Sequence, residues 1–584
     1  MYPIVFTDVK QEYEALWNIR KGLFPAIGSV RKVGTTVVIE DVAFPIDLLA
    51  KATMDLQRMM QRHGYAEGII FGHALDGNLH FVFTQDFSIP AEVERYQKFM
   101  LEVCDMVVHT YDGSLKGEHG TGRNMAPFVR LEWGSHAYEL MKRIKKAFDP
   151  NNLINPGVVI NSNPNAYIED LKPLPALHDL VDKCIECGFC EPKCPSRNLT
   201  TTPRQRITVQ REVARLSASH EDPERLAALQ KQYRYEGEET CATDGLCATA
   251  CPVSINTGDY TKFLRSEQTS SLGKSIAQWT ADHYAATLGM VRLGLGFSNL
   301  AHTVMGTALM TAVTRGLRAI VGKSMPFWTK HLPKPAPKRT FTPIITCSPN
   351  KVVYFPSCVG RTMGPAKYNK DQRTLSEAML SILQKAGYEV LFPENMENLC
   401  CGTPFESKGF FKQADQKSAE LEKALLGVSN NRAYPILCDM STCIYRMRRK
   451  FDPSTKLFEP VEFIATFLMD KLAFAKQPET IAIHISCPSL KMGQSEKFKA
   501  VAEACAKTVV IPAKVGCCGF AGDRGFNFPE LNESALAELK PSLPPETTAG
   551  YSNNRTCEIG LSYHGGIDYQ SIIYLVDHCT SSKR

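Results

Sequence analysis

Two short runs of cysteine constrain this chain more than any other feature. Residues 184–195 read C-x2-C-x2-C-x3-C-P, a spacing at which three thiolates hold one iron–sulfur cluster and the fourth reaches a second cluster. Residues 241–252 repeat the spacing with Asp244 in place of the second cysteine. The spacing predicts two [4Fe–4S] clusters and therefore electron transfer. The predicted ligands are Cys184, Cys187, Cys190 and Cys251 for the first cluster, and Cys194, Cys241 and Cys247 with Asp244 or a non-protein group for the second.

Other interpretations of these runs exist. A zinc site or disulfides would also use cysteine, but zinc motifs rarely carry two C-x3-C-P endings. Asp244 precedes a glycine, and Asp-Gly is a strong turn signal in its own right. A carboxylate is also a harder and weaker donor for iron than a thiolate. Asp244 is therefore predicted either to bind a labile corner of the second cluster or to cap the local turn.

Composition limits the class of protein. A chain of 584 residues suggests three or four domains, and a net charge of +6 is mild for that size. It excludes a dedicated nucleic-acid-binding protein. The twenty cysteines cluster at metal-ligand spacings, and no signal peptide precedes them. We expect a cytoplasmic protein, with peripheral contact to the cytoplasmic side of the inner membrane as a further expectation.

A hairpin near the start of the chain carries two histidines. Residues 69–83 are two apolar runs separated by Asp76-Gly77, a common two-residue hairpin turn. That turn would place His73 opposite His80, about 5 Å apart at Cβ, where two imidazoles can share a divalent ion. Alternatively, both histidines hydrogen-bond a carboxylate substrate or the backbone.

An acid–histidine pair follows in a glycine-rich loop, residues 116–123. Glycines let the backbone approach a flat cofactor closely. Glu118 can complete a metal shell with the two histidines, which leaves His119 free as a general base. Without that context the segment would equally be a surface loop with a satisfied histidine.

These motifs, with Asp149-Pro150 and Asn155-Pro156-Gly157 after a helix, resemble the C-terminal cap domain of FAD-linked D-2-hydroxyacid dehydrogenases. That family includes D-lactate and D-2-hydroxyglutarate enzymes of the vanillyl-alcohol-oxidase superfamily. The resemblance implies a divalent metal, zinc or manganese, that holds the substrate's carboxylate and hydroxyl. It implies these roles: His73, His80 and Glu118 as metal ligands, His119 as the base, Arg20 as the group that grips the substrate acid, and Glu118, His119, Gly120 and Asn155 as residues at the FAD.

The chain also departs from that family. Between Arg20 and Asp41 it differs from the better-known members, so Arg31 and Lys32 receive no role. No glycine-rich pyrophosphate-binding stretch precedes the hairpin. The FAD-binding domain is therefore expected either on a separate chain or in a longer form of this one.

The middle of the chain holds two segments with open interpretations. Residues 203–230 are predicted to be helical. The first half of this segment contains four arginines: Arg204, Arg206, Arg211 and Arg215. This face is either solvated or complements the anionic clusters. Residues 293–314 carry no Lys, Arg, Asp or Glu and are long enough to span a bilayer. Their polar content favours a helix packed over the clusters, with a membrane-surface segment as the second interpretation.

The remainder contains an internal repeat. Residues 352–358 correspond to residues 481–487, and each segment is a predicted strand that ends in cysteine. Residues 400–402 and 517–519 are both Cys-Cys-Gly. The two halves resemble the paired "CCG" domains of heterodisulfide reductases and glycolate oxidase iron–sulfur subunits. Cys438 is set aside as a fifth ligand because of its spacing to Cys443. The resemblance implies one iron–sulfur or zinc centre in each half, held by Cys358, Cys400, Cys401 and Cys443 and by Cys487, Cys517, Cys518 and Cys557.

The predicted fold is an α+β cap domain (1–160), an α-helical two-cluster ferredoxin-type module (161–270), a helical segment with a Pro-rich linker (271–345) and two tandem α/β CCG domains (346–470 and 471–584). The predicted function is FAD-dependent oxidation of a D-2-hydroxyacid to the 2-oxoacid. Electrons would pass through the clusters to a quinone or an electron-carrier protein. The alternative is an electron-transfer and docking subunit, inactive without a flavoprotein partner.

Overall fold

The computed structural model describes residues 7–583, apart from the side chains of residues 24–26. The chain divides into two compact units that interleave within the cluster region. The first unit comprises Met1–Cys187, Ile207–Leu226 and Pro252–Ile255, and the second comprises Gly188–Arg206, Ala227–Cys251 and Asn256–Arg584.

The first unit is built on a three-stranded antiparallel sheet in the order β1-β3-β2. The central strand is almost entirely buried, and its Phe81 and Phe83 pack with Phe99 and Leu56 from the covering helices. This apolar core makes the sheet a rigid base for the polar residues at its end. The elements are α1 (Lys10–Val30), β1 (Thr36–Ala43), α2 (Leu49–Arg62), β2 (Ile69–His73), β3 (Asn78–Gln85), α3 (Pro90–Asp105) and α4 (Val129–Phe148).

The hairpin between β2 and β3 has a longer turn than predicted. Residues 74–76 form a short 3-10 turn that ends at Gly77, which has a φ of 66°. The turn sets His73 opposite Asn78 and Phe71 opposite His80, so the predicted pairing of His73 with His80 is wrong. The register differs by two residues, however, and side chains alternate with a period of two. Both histidines therefore remain on one face of the hairpin, as diagonal neighbours.

The cluster region and the segment that follows it are helical. The predicted helix over residues 203–230 is two helices rather than one. The elements are α5 (Pro203–Ser219), α6 (Pro223–Tyr233), α7 (Cys247–Ala250), α8 (Thr257–Glu267), α9 (Ser271–Asp282) and α10 (Tyr284–Val321).

Helix α10 only partly meets expectation. The part before the predicted segment is packed, since Tyr284 and Leu288 share a core cluster with Cys358 and Cys400 of the first cysteine-rich half. Most of the remaining apolar side chains are exposed, so the prediction of a helix buried over the clusters is wrong for that part. By length and composition alone, this is the one helix among the described residues that could cross a membrane. Gly306, with φ 70° and ψ 171°, divides it into two segments.

Each cysteine-rich half contains a four-stranded parallel sheet, and the two sheets have the same strand order. In the first half the order is β7-β5-β8-β9, and in the second it is β12-β11-β13-β14. The first strand of each half is central in its sheet, as in doubly wound α/β folds, where sites form beyond the carboxyl ends of the strands.

The elements of the first half, with the short strand before it, are β4 (Pro333–Pro335), β5 (Lys351–Phe355), α11 (Cys358–Thr362), β6 (Met363–Ala366), α12 (Leu375–Lys385), β7 (Glu389–Leu391), α13 (Thr403–Glu406), α14 (Phe411–Val428), β8 (Ile436–Cys438), α15 (Ser441–Lys450), β9 (Leu457–Phe458), α16 (Pro460–Phe463) and β10 (Leu472–Phe474). Those of the second are β11 (Gln477–Ile483), α17 (Cys487–Lys491), α18 (Ser495–Cys505), β12 (Ala506–Val510), α19 (Arg524–Asn527), α20 (Pro529–Leu536), β13 (Thr547–Ser552), α21 (Arg555–Gly565), β14 (Tyr569–Ser571), α22 (Ile572–Cys579) and β15 (Thr580–Ser582).

Candidate functional site

The two hairpin histidines and Glu118 meet at the end of the first unit's sheet. The Nε2 atoms of His80 and His73 lie 2.8 Å and 3.2 Å from the Oε1 atom of Glu118. One ligand atom from each of the three residues lies within 4.8 Å of the other two. Among the described residues, no other group of three or more His, Cys, Asp or Glu side chains meets this spacing. Two imidazoles and a carboxylate are a donor set typical of catalytic zinc.

Two further predicted residues lie beside this group. The Nη2 atom of Arg20 lies 2.9 Å from the Nε2 atom of His73. The ring of His119 stacks on that of His80 with centroids 4.8 Å apart, and its Nε2 atom lies 3.6 Å from Glu118 Oε1. The structure thus brings together five residues that are distant in sequence: Arg20, His73, His80, Glu118 and His119.

The remaining predicted flavin contacts lie in loops. Gly120 has a φ of 73°, in the left-handed region that favours glycine. Asn155 is exposed in the turn after α4, and its backbone carbonyl accepts a hydrogen bond from Val158. The residue after Val158, Val159, donates its N–H to the carbonyl of Gly122. The segment around Asn155 is therefore tied to the loop that carries Glu118 and His119.

Burial suits His80 to bind a metal. Burial, together with the neighbouring His119, lowers the pKa of His80, although Asp41 and Glu118 oppose this effect. The neutral imidazole that results is the form that binds metals. One ligand atom from each of His73, His80 and Glu118 lies within 4.8 Å of the other two, close enough for one ion to bind all three. The three side chains therefore fit a divalent ion.

Asp41 is the residue at this site that the sequence analysis missed. Its fully buried carboxylate accepts hydrogen bonds from the N–H groups of Gly117, Glu118 and His119 at 2.7–3.0 Å and from the Asn78 side chain at 2.6 Å. Burial would raise the pKa of Asp41, but these hydrogen bonds outweigh it and lower the pKa. A Cβ at Gly117 would lie 2.2 Å from Asn78 Nδ2, so only glycine permits this approach. Two adjacent charged residues, Glu40 and Asp41, within a predominantly apolar strand were the available signal.

The predicted ligands of the second cluster lie together in the second unit. Burial, together with the charges of Asp244, Cys241 and Cys194, raises the pKa of Cys247 to about 12. Asp244 Oδ1 accepts a hydrogen bond of 2.7 Å from the N–H of Leu246. Asp244 therefore caps the local turn, as one of its two interpretations predicts, while it remains close to Cys247. Its ligation of iron stays a prediction.

Two arginine side chains lie beside predicted cluster ligands. Arg206 is fully buried and its guanidinium lies 3.5 Å from Cys194 Sγ and 2.7 Å from Ser196 Oγ. Burial opposes the charge of Arg206, yet Cys241 and Cys194 raise its pKa overall. In the first unit, buried Arg211 donates to the carbonyl of Cys184. For these two of the four arginines of α5, the charge-complementing interpretation is the one the structure supports.

The predicted ligands of the first cluster belong to both units. Cys184 and Cys187 are in the first unit, and Cys190 and Cys251 are in the second. Cys184 is partly buried and Cys187 is exposed. Besides Arg211, Arg31 donates to the backbone carbonyls of Cys184 and Asp182. Arg31, which received no role from the sequence, thus supports the segment that begins the first cysteine run.

The first cysteine-rich half gathers five thiols rather than four. Contacts link the side chains of Cys358 and Cys400, then Cys400 and Cys401, and Cys401 Sγ lies 3.3 Å from Cys443 Sγ. Cys438 ends β8 and its side chain contacts Cys443. The spacing therefore failed to predict that Cys438 lies beside the four predicted thiols. The spacing to Cys443 was misleading because residues 439–442 include the start of α15, whose first turn brings Cys443 back beside the strand end.

The second half gathers its four predicted thiols in the same way. Contacts join the side chains of Cys487 and Cys517, Cys517 and Cys518, and Cys518 and Cys557. The loop of the second cluster packs against this group, because Ala242 and Leu246 share a core cluster with Cys517. The charge of Asp244 also raises the pKa values of Cys487 and Cys517 after the larger effects of thiol contacts and burial. The two cysteine sets are therefore neighbours within one unit.

Comparison with known protein families assigns three classes of domain. Residues 3–159 match the C-terminal domain of FAD linked oxidases, and residues 180–255 match the 4Fe-4S dicluster domain. Residues 352–448 and 481–557 each match the cysteine-rich CCG domain. The resemblance drawn from the sequence motifs is thereby confirmed domain by domain, including the repeat.

Curated relatives cover different parts of the chain. Glycolate oxidase subunit GlcD of Bacillus subtilis is 30% identical over 150 residues, 26% of this chain and 31% of that protein. D-2-hydroxyglutarate dehydrogenase of Pantoea ananatis is 26% identical over 317 residues, 44% of this chain and 30% of that protein. Mitochondrial D-lactate dehydrogenase [cytochrome] of Arabidopsis thaliana is 32% identical over 159 residues, 27% of each. The chain spans less than a third of the length of these relatives.

Proposed function

We propose that this chain supplies the substrate site and the electron-transfer path of an FAD-dependent D-2-hydroxyacid dehydrogenase. The observation that carries the proposal is the convergence of Arg20, His119 and the group His73, His80 and Glu118 at the end of one sheet. The similarity to D-lactate and D-2-hydroxyglutarate dehydrogenases supports the same substrate class.

Different residues bind the substrate and deprotonate its 2-hydroxyl. Arg20 offers a guanidinium, the side chain best suited to pair with the carboxylate of a hydroxyacid. His119 Nε2 takes the proton of the 2-hydroxyl as general base. His73, His80 and Glu118 would hold a divalent zinc or manganese ion, which supplies Lewis-acid stabilisation of negative charge on the substrate oxygen. Asp41 positions the loop so that Glu118 and His119 face the substrate from fixed backbone.

The second half of the reaction removes the hydride from Cα. FAD supplies the acceptor for this hydride, so that the alcohol becomes the 2-oxoacid. Glu118, His119, Gly120 and Asn155 are the residues that we propose would contact FAD. The flavin-binding domain itself comes from a separate chain or from a longer form of this one.

Cysteine sets at matched positions would carry the electrons away. Cys194, Cys241 and Cys247 would hold one iron–sulfur cluster, and Cys487, Cys517, Cys518 and Cys557 a further centre. The packing of Ala242 and Leu246 against Cys517 makes the second cysteine-rich half the next carrier site after the cluster module. The final acceptor is a quinone or an electron-carrier protein.

An iron–sulfur centre suits the cysteine-rich halves better than zinc. Four thiolates around one zinc ion, at about 2.3 Å each, would lie about 3.8 Å apart. No three cysteine side chains among the described residues lie within 4.8 Å of one another. The sets are therefore linked by pairwise contacts over a wider space, which favours a centre with several iron atoms.

The substrate site is tested by His80→Ala in the purified chain and in the complete enzyme with the flavin domain supplied. We expect loss of bound zinc or manganese, measured by elemental analysis, with unchanged iron content. Hydroxyacid oxidation should fall by at least about 100-fold. His109→Ala, an exposed histidine on the same unit, is the matched control. Full metal content and activity in His80→Ala would contradict the proposal.

Asp41→Asn tests the positioning of the loop. The uncharged amide keeps the shape but weakens the three backbone hydrogen bonds, so metal affinity should fall about 10–100-fold. Elevated metal concentrations should restore oxidation in Asp41→Asn but not in His80→Ala. A variant that binds metal as tightly as the unaltered chain would show that Asp41 has only a structural role.

The second candidate function is an electron-transfer and docking subunit without hydroxyacid chemistry of its own. The adjacency of the second cluster module and the second cysteine-rich half favours it, because this path needs no cap domain. Elemental analysis of the purified chain separates the two: zinc or manganese bound at His73, His80 and Glu118 would favour the dehydrogenase, and a chain with iron but without that metal would favour the subunit.

A further inference from the structure

We propose that helices α9 and α10 form a docking surface for an anionic lipid bilayer, with their exposed apolar stripe inserted at the level of the headgroups. This inference does not depend on the hydroxyacid chemistry. It rests on three observations: the pattern of exposed side chains, the charge of the surrounding chain, and a cationic cavity beside the second segment of α10.

The exposed apolar side chains follow helical spacing. Leu293, Phe297 and Val304 are 74–78% exposed, and with Leu300 they recur every three or four residues, so they share one face. Beyond the kink at Gly306 the stripe continues, and on α9 a second stripe has the same spacing. The further exposed members are Leu309, Val313, Leu317 and Ile320 on α10 and Leu272, Ile276 and Trp279 on α9.

The opposite face of α10 is held by protein. Tyr284 and Leu288 are buried in a core cluster, and Leu295 and His302, opposite the stripe, are buried further along the helix. A helix with one face packed on a folded domain is not surrounded by lipid, which argues against a bilayer-spanning position for this segment. An apolar stripe that faces away from the domain is the geometry of an interfacial helix.

The charge of this region identifies the occupant as an anionic surface. Residues 283–370 contain twelve Lys or Arg and no Asp or Glu. Four of these cations, Arg292, Lys323, Arg339 and Lys351, pair with carboxylates. Of the other eight, Arg361 is buried, and the remaining seven have no carboxylate within ion-pair distance in the described part of the chain. Basic residues beside an apolar helix attract anionic lipids, whereas a protein partner would have to present a matching acidic surface.

Two of these basic residues, Arg315 and Lys330, line a cavity of about 520 Å³. Thr307, Thr311 and Arg315 line it from one face of α10, at intervals of four residues. Lys330 and Trp328 line it from the segment that follows, and Tyr563 and Asp568 from the second cysteine-rich half, so that two cations and one carboxylate face the cavity. Arg315 and Lys330 are exposed and have no carboxylate partner in the part of the chain that the structure describes. They provide donors for headgroup phosphates next to the second apolar stripe.

Flotation with lipid vesicles tests the surface. The full chain should bind vesicles made of equal parts phosphatidylcholine and phosphatidylglycerol, and binding should fall at least tenfold in Leu293→Ser/Phe297→Ser/Val304→Ser. The matched control is Phe148→Ser/Leu153→Ser/Ile154→Ser, three equally exposed apolar residues of the first unit, which should bind like the unaltered chain. Equal binding by both triple variants would overturn the proposal.

Two further measurements distinguish a surface for anionic lipid from a spanning helix and from a contact with a second copy of the chain. Arg315→Gln/Lys330→Gln should lose the preference for phosphatidylglycerol over pure phosphatidylcholine, and equal binding to both vesicles by the unaltered chain would overturn the charge argument. In Phe297→Trp, lipids brominated near the headgroup should quench the fluorescence of the introduced tryptophan most. Strongest quenching by lipids brominated at the ends of their acyl chains would indicate a spanning helix. Self-association without vesicle binding would show that the stripe covers a second copy of the chain. Either result would overturn the proposal.

Discussion

The two cysteine-rich halves have the same strand order but differ at one position beside their thiols. Cys438 ends β8 five residues before Cys443, and Ser552 ends β13 five residues before Cys557. Where the first half has a thiol that contacts Cys443, the second has a hydroxyl that donates to the carbonyl of His484 and lies 3.2 Å from its Nδ1 atom.

The two halves also differ at His484, the residue that Ser552 contacts. Its Nε2 atom lies 2.9 Å from the carbonyl of Gly516, just before the Cys-Cys pair of the second half. The corresponding position in the first half is Phe355, in the apolar core. The comparison shows that one scaffold offers a five-thiol set in one copy and, in the other, a four-thiol set with a polar network in place of the fifth thiol.

The largest effect should come from removing a central thiol in either half. Cys401→Ser should remove the centre of the first half alone, and Cys518→Ser that of the second alone, because contacts join each thiol only to others of its own half. Iron content and visible absorption would measure the loss, with exposed Cys347→Ser as the control. Loss of both centres from one substitution would show that the halves do not assemble separately.

A smaller effect should follow from exchanging the residues that differ. Cys438→Ser should leave a centre in the first half whose paramagnetic resonance spectrum resembles that of the second, since only the fifth thiol is removed. Ser552→Cys should change the second half less, because its thiol must also replace the hydrogen bonds with His484. An unchanged spectrum in Cys438→Ser would mean that Cys438 packs beside the centre without binding it.

The smallest expected effect is a pH dependence confined to the second half. Burial lowers the pKa of His484 from 6.5 to about 4. Between these values the unfolded chain binds a proton that the folded chain does not, so stability falls as the pH falls. The loss between pH 7 and pH 5 is about 2 kcal/mol. Thermal unfolding at the two values should show it, and His484→Phe, the residue of the first half, should remove it. An equal shift in both proteins would assign the effect to other groups.

Local spacing allowed much of this protein to be deduced from its sequence. The cysteine runs, the acid–histidine pair and the repeated Cys-Cys-Gly motif predicted three classes of domain that the comparisons confirm. Such motifs are readable because their ligands lie within a few residues and are held by the turn that contains them. The two histidines of the hairpin were likewise placed on one face despite the wrong turn, because an error of two residues preserves the face of a strand.

Tertiary structure alone decided what depended on residues far apart in the chain. Asp41 reaches the 117–119 backbone across the sheet, and Arg206 turns from a helix surface into the cluster site. Cys438 joins the first half's thiols because the turn after β8 folds back. Whether an apolar helix is buried or exposed depends on what packs against it: one face of α10 packs on protein, and the apolar side chains of its other face are exposed. Sequence spacing determines which side chains share a local face, whereas long-range packing determines what each face meets.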